Sequence, residues 1–174
     1  MIIDALLTFS NNQSLAAVAG TYDSNIIDFG GPAIPALANL QGARDMGIGD
    51  DPALKLLVQV TSLAAAGGTS MSVALKGATD DGTGAPSTFT QWWISPVYTT
   101  AQMVQGARLF DMDFPRPPAG VAIPRFVKMT YVTIGTFTTL GIFAGIVLDR
   151  MDQAYSSTSN ARMGGYPAGI NVAN

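Results

Sequence analysis

The sequence predicts an all-β protein, an antiparallel two-sheet sandwich of jelly-roll type with an extended N-terminal arm and C-terminal tail. Three observations carry this. All twelve acidic residues are aspartates and only Lys55, Lys76 and Lys128 are lysines, so the Glu and Lys that normally line exposed helices are scarce. Nineteen glycines and ten prolines accompany many Thr and Val residues, which is the composition of short strands joined by turns. About eight β candidates follow one another, and in the second half their connections are too short for crossover helices. The expected organisation is an arm over residues 1–12, a sandwich over 13–149 and a tail over 150–174.

In the arm, Ile2, Ile3, Leu6, Leu7 and Phe9 fall near helical spacing, which fits one helical turn or an extended hook. Gln13 to Ala19 and Asn25 to Phe29 are short β candidates separated by the turn-prone Gly20 to Ser24, and together they predict a first hairpin. Gly30 to Gln41 contains two prolines and no clean alternation, so it is expected to be a loop. The glycine-punctuated stretch from Gly42 carries Arg44 and Asp45, expected as an ion pair or turn-capping contact before the first long core strand.

From Leu54 the alternation is clean. Leu54, Leu56, Val58 and Val60 share one face, and Met71, Val73 and Leu75 repeat the pattern opposite Ser70, Ser72 and Lys76. Phe89 to Ile94 holds the adjacent Trp92 and Trp93. In a regular strand they must face opposite ways, one into the core and the other onto a partner-facing surface or under a loop. Ala107 to Phe114 alternates Phe110, Met112 and Phe114 with Leu109, Asp111 and Asp113. Phe126 to Ile134 and Leu140 to Asp149 are the longest β candidates, and the second, apolar on both faces, is expected to be a covered central strand. The tail from Met151 has no period and is rich in Ser, Asn, Gly and Ala.

Hydrophobic residues make up 48% of the chain and charged residues only 12%, about half of the roughly 25% usual in a soluble domain. So little charge leaves apolar surface exposed, which is the mark of a subunit in an assembly. The net charge of -3 repels a phosphate backbone, so nucleic acid is not an expected partner. The N-terminal MIIDALLTFS has no basic region and Asp4 interrupts its apolar run, so no secretory signal is expected. The most apolar window, Leu140 to Leu148, is too short to span a bilayer as a helix, and no membrane partner is expected.

There is no histidine and no cysteine, which removes the commonest general base, the usual zinc ligands and every disulfide. Three aspartate pairs remain. Asp111 and Asp113 would share a strand face and could hold a divalent cation, but no third acidic ligand is near in sequence. Asp80-Asp81-Gly82 begins like a calcium loop, but the later ligands are missing, so a turn is the better reading. Asp50 and Asp51 carry no further signal. No catalytic residue, cofactor or metal site is expected.

The order of several landmarks does carry a functional expectation. MIIDALLTFS with Gln13 shortly after, SNIIDFG at 24–30, RDMGIG at 44–49, LLVQV at 56–60 and IVLD at 146–149 together resemble the Bbp16-like capsid cement (decoration) proteins of tailed bacteriophages. The resemblance covers most of residues 1–149. It implies a jelly-roll protein on the outer surface of an HK97-like capsid, oligomeric as a homodimer or homotrimer, that holds adjacent capsomers of the major capsid protein together. The family offers no catalytic residues to carry over. The Gly30 to Gln41 segment and the tail beyond Asp149 are longer than the family pattern, and the contact residues expected from this chain's own sequence are Met1, Ile2, Ile3, Leu6 and Leu7 of the arm, the pair Trp92 and Trp93, and Tyr155, Arg162 and Tyr166 of the tail. A phage tail or neck protein and a carbohydrate-binding β-sandwich module are the alternatives.

Overall fold

The computed structural model describes residues 7–16, 18–29, 55–64, 67–115, 119 and 124–147. Among them are ten strands and no α-helix: β1 (Thr8–Ser14), β2 (Gly20–Asp23), β3 (Ile27–Asp28), β4 (Lys55–Ser62), β5 (Gly68–Ala78), β6 (Thr90–Ile94), β7 (Tyr98–Thr99), β8 (Arg108–Asp113), β9 (Phe126–Gly135) and β10 (Gly141–Val147). One sheet has the order β1-β10-β4-β8. The other has the order β2-β9-β5-β6, with β3 also on β9 and β7 also on β5. Every pairing is antiparallel.

The pairing is nested: β1 with β10, β2 with β9, β4 with β8, β5 with β6. The chain therefore passes repeatedly from one sheet to the other, and the inner face of each sheet meets the other's. Leu56, Val58 and Val60 of β4 and Ile142, Ala144 and Ile146 of β10 pack against Met71, Val73 and Leu75 of β5 and Val127, Met129 and Tyr131 of β9. This is the period-two face read from the sequence. As expected, β10 is interior to its sheet and buried along nearly its whole length. Leu57 is also fully buried although it points away from Leu56 and Val58.

The first predicted hairpin does not form. β1 begins at Thr8 and pairs with β10, while Gly20 to Asp23, expected as a turn, is strand β2 on β9 in the opposite sheet. Thr21 and Tyr22 are good strand formers, and long-range pairing with β9 outweighs the local turn signal of Gly20. Phe9 and Leu15 thereby reach the core. Two side-chain links join the sheets along this edge: the Tyr131 hydroxyl bonds Ser10 Oγ at 2.8 Å, and Gln13 Nε2 donates to the Asp23 carbonyl at 2.9 Å. Burial pushes the Tyr131 hydroxyl pKa up, so it stays protonated and hydrogen-bonding.

The opposite edge is closed by aromatics set on bulges. Between Leu75 and Lys76 the partner jumps from Trp93 to Gln91, which leaves Trp92 as the extra residue of a β-bulge. The bulge corrects the expectation that one tryptophan faces inward and the other outward: both are half-buried and both pack on the core. A second bulge leaves Leu109 extra on β8, and its carbonyl accepts from the Tyr98 hydroxyl at 3.0 Å. Trp93 and Phe110 meet edge-on at 5.1 Å across the two sheets.

The registers define two ends. At one end lie Thr8, Phe29, Lys55, Ala78, Phe114, Phe126 and Val147, hereafter the junction end. At the far end lie Ser14, Gly20, Ser62, Gly68, Gly135 and Gly141. The expected Arg44–Asp45 contact, the Gly30 to Gln41 loop and Leu54 fall outside the described residues.

Candidate functional site

Charge concentrates at and beside the junction end, and the fold explains why. Arg125 stands just before β9, where a hydrogen bond at 2.8 Å from the Phe29 amide to its carbonyl ties it to the end of β3. Its guanidinium grips Asp28 with both prongs, Nε to Oδ1 at 2.9 Å and Nη2 to Oδ2 at 3.0 Å. The remaining prong reaches Asp80, and the cation lies 4.7 Å from the centre of the Phe126 ring. One side chain thus fixes the ends of β3 and β5 to the start of β9, and it is only 10% exposed. Its two carboxylates, Asp28 foremost, raise the Arg125 pKa further.

The Asp80–Asp81 loop is a turn, with its carboxylates turned onto its own backbone. Asp80 Oδ1 accepts from the amides of Gly84 at 3.0 Å and Gly82 at 2.7 Å. Asp81 Oδ1 accepts from the Thr83 hydroxyl at 2.7 Å and the Thr83 amide at 2.8 Å. Those donors hold both carboxyls below the ordinary aspartate range, with Arg125 adding to the effect on Asp80.

Asp111 and Asp113 do share the outer face of their sheet, and each has a cation beside it. Arg108 Nη1 lies 3.0 Å from Asp111, and Lys55 Nζ pairs with Asp113. On the outer face of the other sheet, Lys128 donates to Asp23 at 2.6 Å, Thr130 donates to the same carboxylate at 2.7 Å, and the ammonium sits 4.5 Å from the centre of the Phe89 ring. Burial alone would raise the Asp23 carboxyl, but these two donors outweigh it and hold it low. Every described aspartate therefore has a partner, and no group of three or more metal-ligating side chains occurs among the described residues.

These lowered carboxyls fix the sign of a pH effect. Asp23, Asp80 and Asp81 bind protons less readily folded than unfolded, so their stabilisation is present above the unfolded pKa of about 3.9 and is lost as pH falls through the lower folded values. With no histidine or glutamate in the chain, no side chain ordinarily titrates between about pH 5 and pH 7. Thermal melts should be level from pH 5 to 7 and drop below about pH 4. A steep change between pH 5 and 7 would contradict this account.

The start of β1 and the end of β10 both lie at the junction end. Thr8 pairs with Gly145, and two residues on, Val147 pairs with Lys55, which in turn pairs with Asp113. Leu7 packs on the core beside them, half-buried. Phe114 lies under this end, edge-on to Phe29 at 6.1 Å and to Trp92 at 6.3 Å. The Trp92 indole N–H is buried there without an acceptor.

Of the residues singled out in the sequence, Leu7, Trp92 and Trp93 are described, and all three lie against the core. Leu7 and Trp92 belong to the junction end, whereas Trp93 lies further along the β6–β8 edge. Met1, Ile2, Ile3, Leu6, Tyr155, Arg162 and Tyr166 lie outside the described residues. Sequence reasoning missed Arg125 as the organising cation, because its partners stand 97 and 45 residues away and no local pattern links them. The described residues contain no helix long and apolar enough to cross a membrane. No protein-family model matches the chain, and no curated protein sequence matches it either.

Proposed function

We propose that this chain is a structural virion protein that binds the outer surface of an assembled HK97-like phage capsid and cements neighbouring capsomers. The observation that carries the proposal is that the start of β1 and the end of β10 lie at one end of the sandwich, Thr8 on Gly145 and Val147 on Lys55. Segments that precede β1 and follow β10 then start from a common point and can engage the same neighbouring surface, adding contact area without enlarging the core. The resemblance of the ordered landmarks to Bbp16-like cement proteins supplies the identity of that surface. The low charge content supports a protein that works in an assembly.

The nested order β1-β10-β4-β8 beside β2-β9-β5-β6 supports reading the sandwich as a jelly roll, the fold the resemblance implies. The physical role is linkage. A protein that binds only the assembled shell stabilises it by about 2.7 kcal/mol per site when its concentration is a hundred times Kd, and a lattice multiplies modest sites.

Removing residues 154–174 should leave the cooperative melt of the sandwich in place and weaken retention on purified capsids by at least about tenfold. Localising the chain on purified virions by electron cryomicroscopy checks the reading directly. Copies spread across the shell support it, whereas copies confined to one vertex assign the chain to the neck or tail and sink the cement proposal.

A further inference from the structure

The far end of the sandwich has a different character, and it follows from where charge is missing. Residues 14–22, 59–75, 94–107 and 130–142 contain no Asp, Glu, Lys or Arg. In the fold these four stretches converge: Leu15 N–H bonds the Leu140 carbonyl at 2.8 Å, Ala64 N–H bonds Met103 at 3.2 Å, and Thr139 Oγ1 bonds Leu63 at 2.9 Å. Large apolar side chains nevertheless stand in solvent there. Val18 is 73% exposed, Val97 61% and Ile134 58%, and Leu63, Val104 and Val132 are exposed as well. Val132 and Ile134 project from the outer face of β9, on either side of the buried Thr133, and continue the patch from the end onto the sheet.

We infer that this charge-free end is a homotypic contact surface, occupied by a second copy of this chain. Two arguments favour a copy over a different partner. A homotypic contact places a surface against itself, so a charge near the axis meets its own like, and a surface without charges escapes that repulsion. Homodimer interfaces are also the more apolar class, and this end lacks the charges of both signs that the junction end could offer a partner of different sequence. The size also suits. Four strands about 4.8 Å apart and half of β9 at about 3.4 Å per residue give on the order of 300 Å² of sheet. The end of the sandwich adds a comparable area, which approaches the ~800 Å² per partner of a standard interface.

The inference does not rest on the virion reading, and its test uses the free, full-length protein. Sedimentation velocity over a roughly hundredfold concentration range should show reversible self-association. Raising the salt severalfold should not dissociate it, because no charge is there to be screened. Ile134→Lys and Val104→Lys, both at exposed positions, should each weaken self-association at least about tenfold with the thermal melt retained. Thr88→Lys, on the loop before β6, should leave it unchanged. A wild-type chain that stays monomeric, an association dissolved by salt, or a Thr88→Lys loss equal to that of Ile134→Lys would each overturn the inference. Should one lysine variant fail to fold, the other decides.

Discussion

Gly68→Ala should destabilise the sandwich by about 3 kcal/mol, at the upper end of the usual range for overpacking. A methyl built on Gly68 runs into the ring of Phe137, which is buried at 1% exposure and has little room to swing away. The residue starts β5 directly across from Gly135, whose positive φ of 81° brings the start of the β9–β10 connection back over the sheet. The clash is steric and local, so the double variant Gly68→Ala/Phe137→Leu should recover a good part of the loss. Urea denaturation of the four corners of that cycle checks it, with a coupling of at least about 1 kcal/mol expected. Simple additivity would mean that the ring is not what meets the methyl.

Phe114→Ala should cost about 3 to 4 kcal/mol and act on the junction end in particular. Phe114 is 5% exposed and holds Phe29 and Trp92 edge-on, so its removal leaves a cavity between the end of β3, the bulge of β6 and the end of β8. Aromatic pairs of this kind add about 0.5 to 1.5 kcal/mol each beyond area burial. Hydrogen exchange should accelerate first in β3 and β6, ahead of β4 and β10. A loss below about 1 kcal/mol, or uniform acceleration across both sheets, would show that the ring does not organise this end.

The parts of the fold legible in the sequence are those governed by period. The inward faces of β4 and β5 follow from alternation, because a strand with one buried face must repeat every two residues, and the doubly covered β10 follows from its unbroken apolar run. What was not legible depends on pairing between distant segments. Gly20 to Asp23 looks like a turn until β9 is beside it, and the facing of Trp92 depends on a bulge that no local composition signals. The charged network was hidden for the same reason: Arg125, Asp28 and Asp80 become neighbours only when three strand ends are brought together. Charge-free stretches, by contrast, are plain in the sequence. Their meaning appears once the topology gathers four of them at one end.

The nested pairing also sets the order in which this chain can be made. Among the described strands β1 pairs with β10, and the Ser10–Tyr131 bond spans 121 residues. During synthesis Phe9 and Leu15 therefore lack their β10-side neighbours until nearly the whole sandwich has left the ribosome. Closure entropy has to be met before those contacts reward it, which places folding in the milliseconds-to-seconds regime of non-local β topologies. Until then the lone strands present open edges to any neighbour.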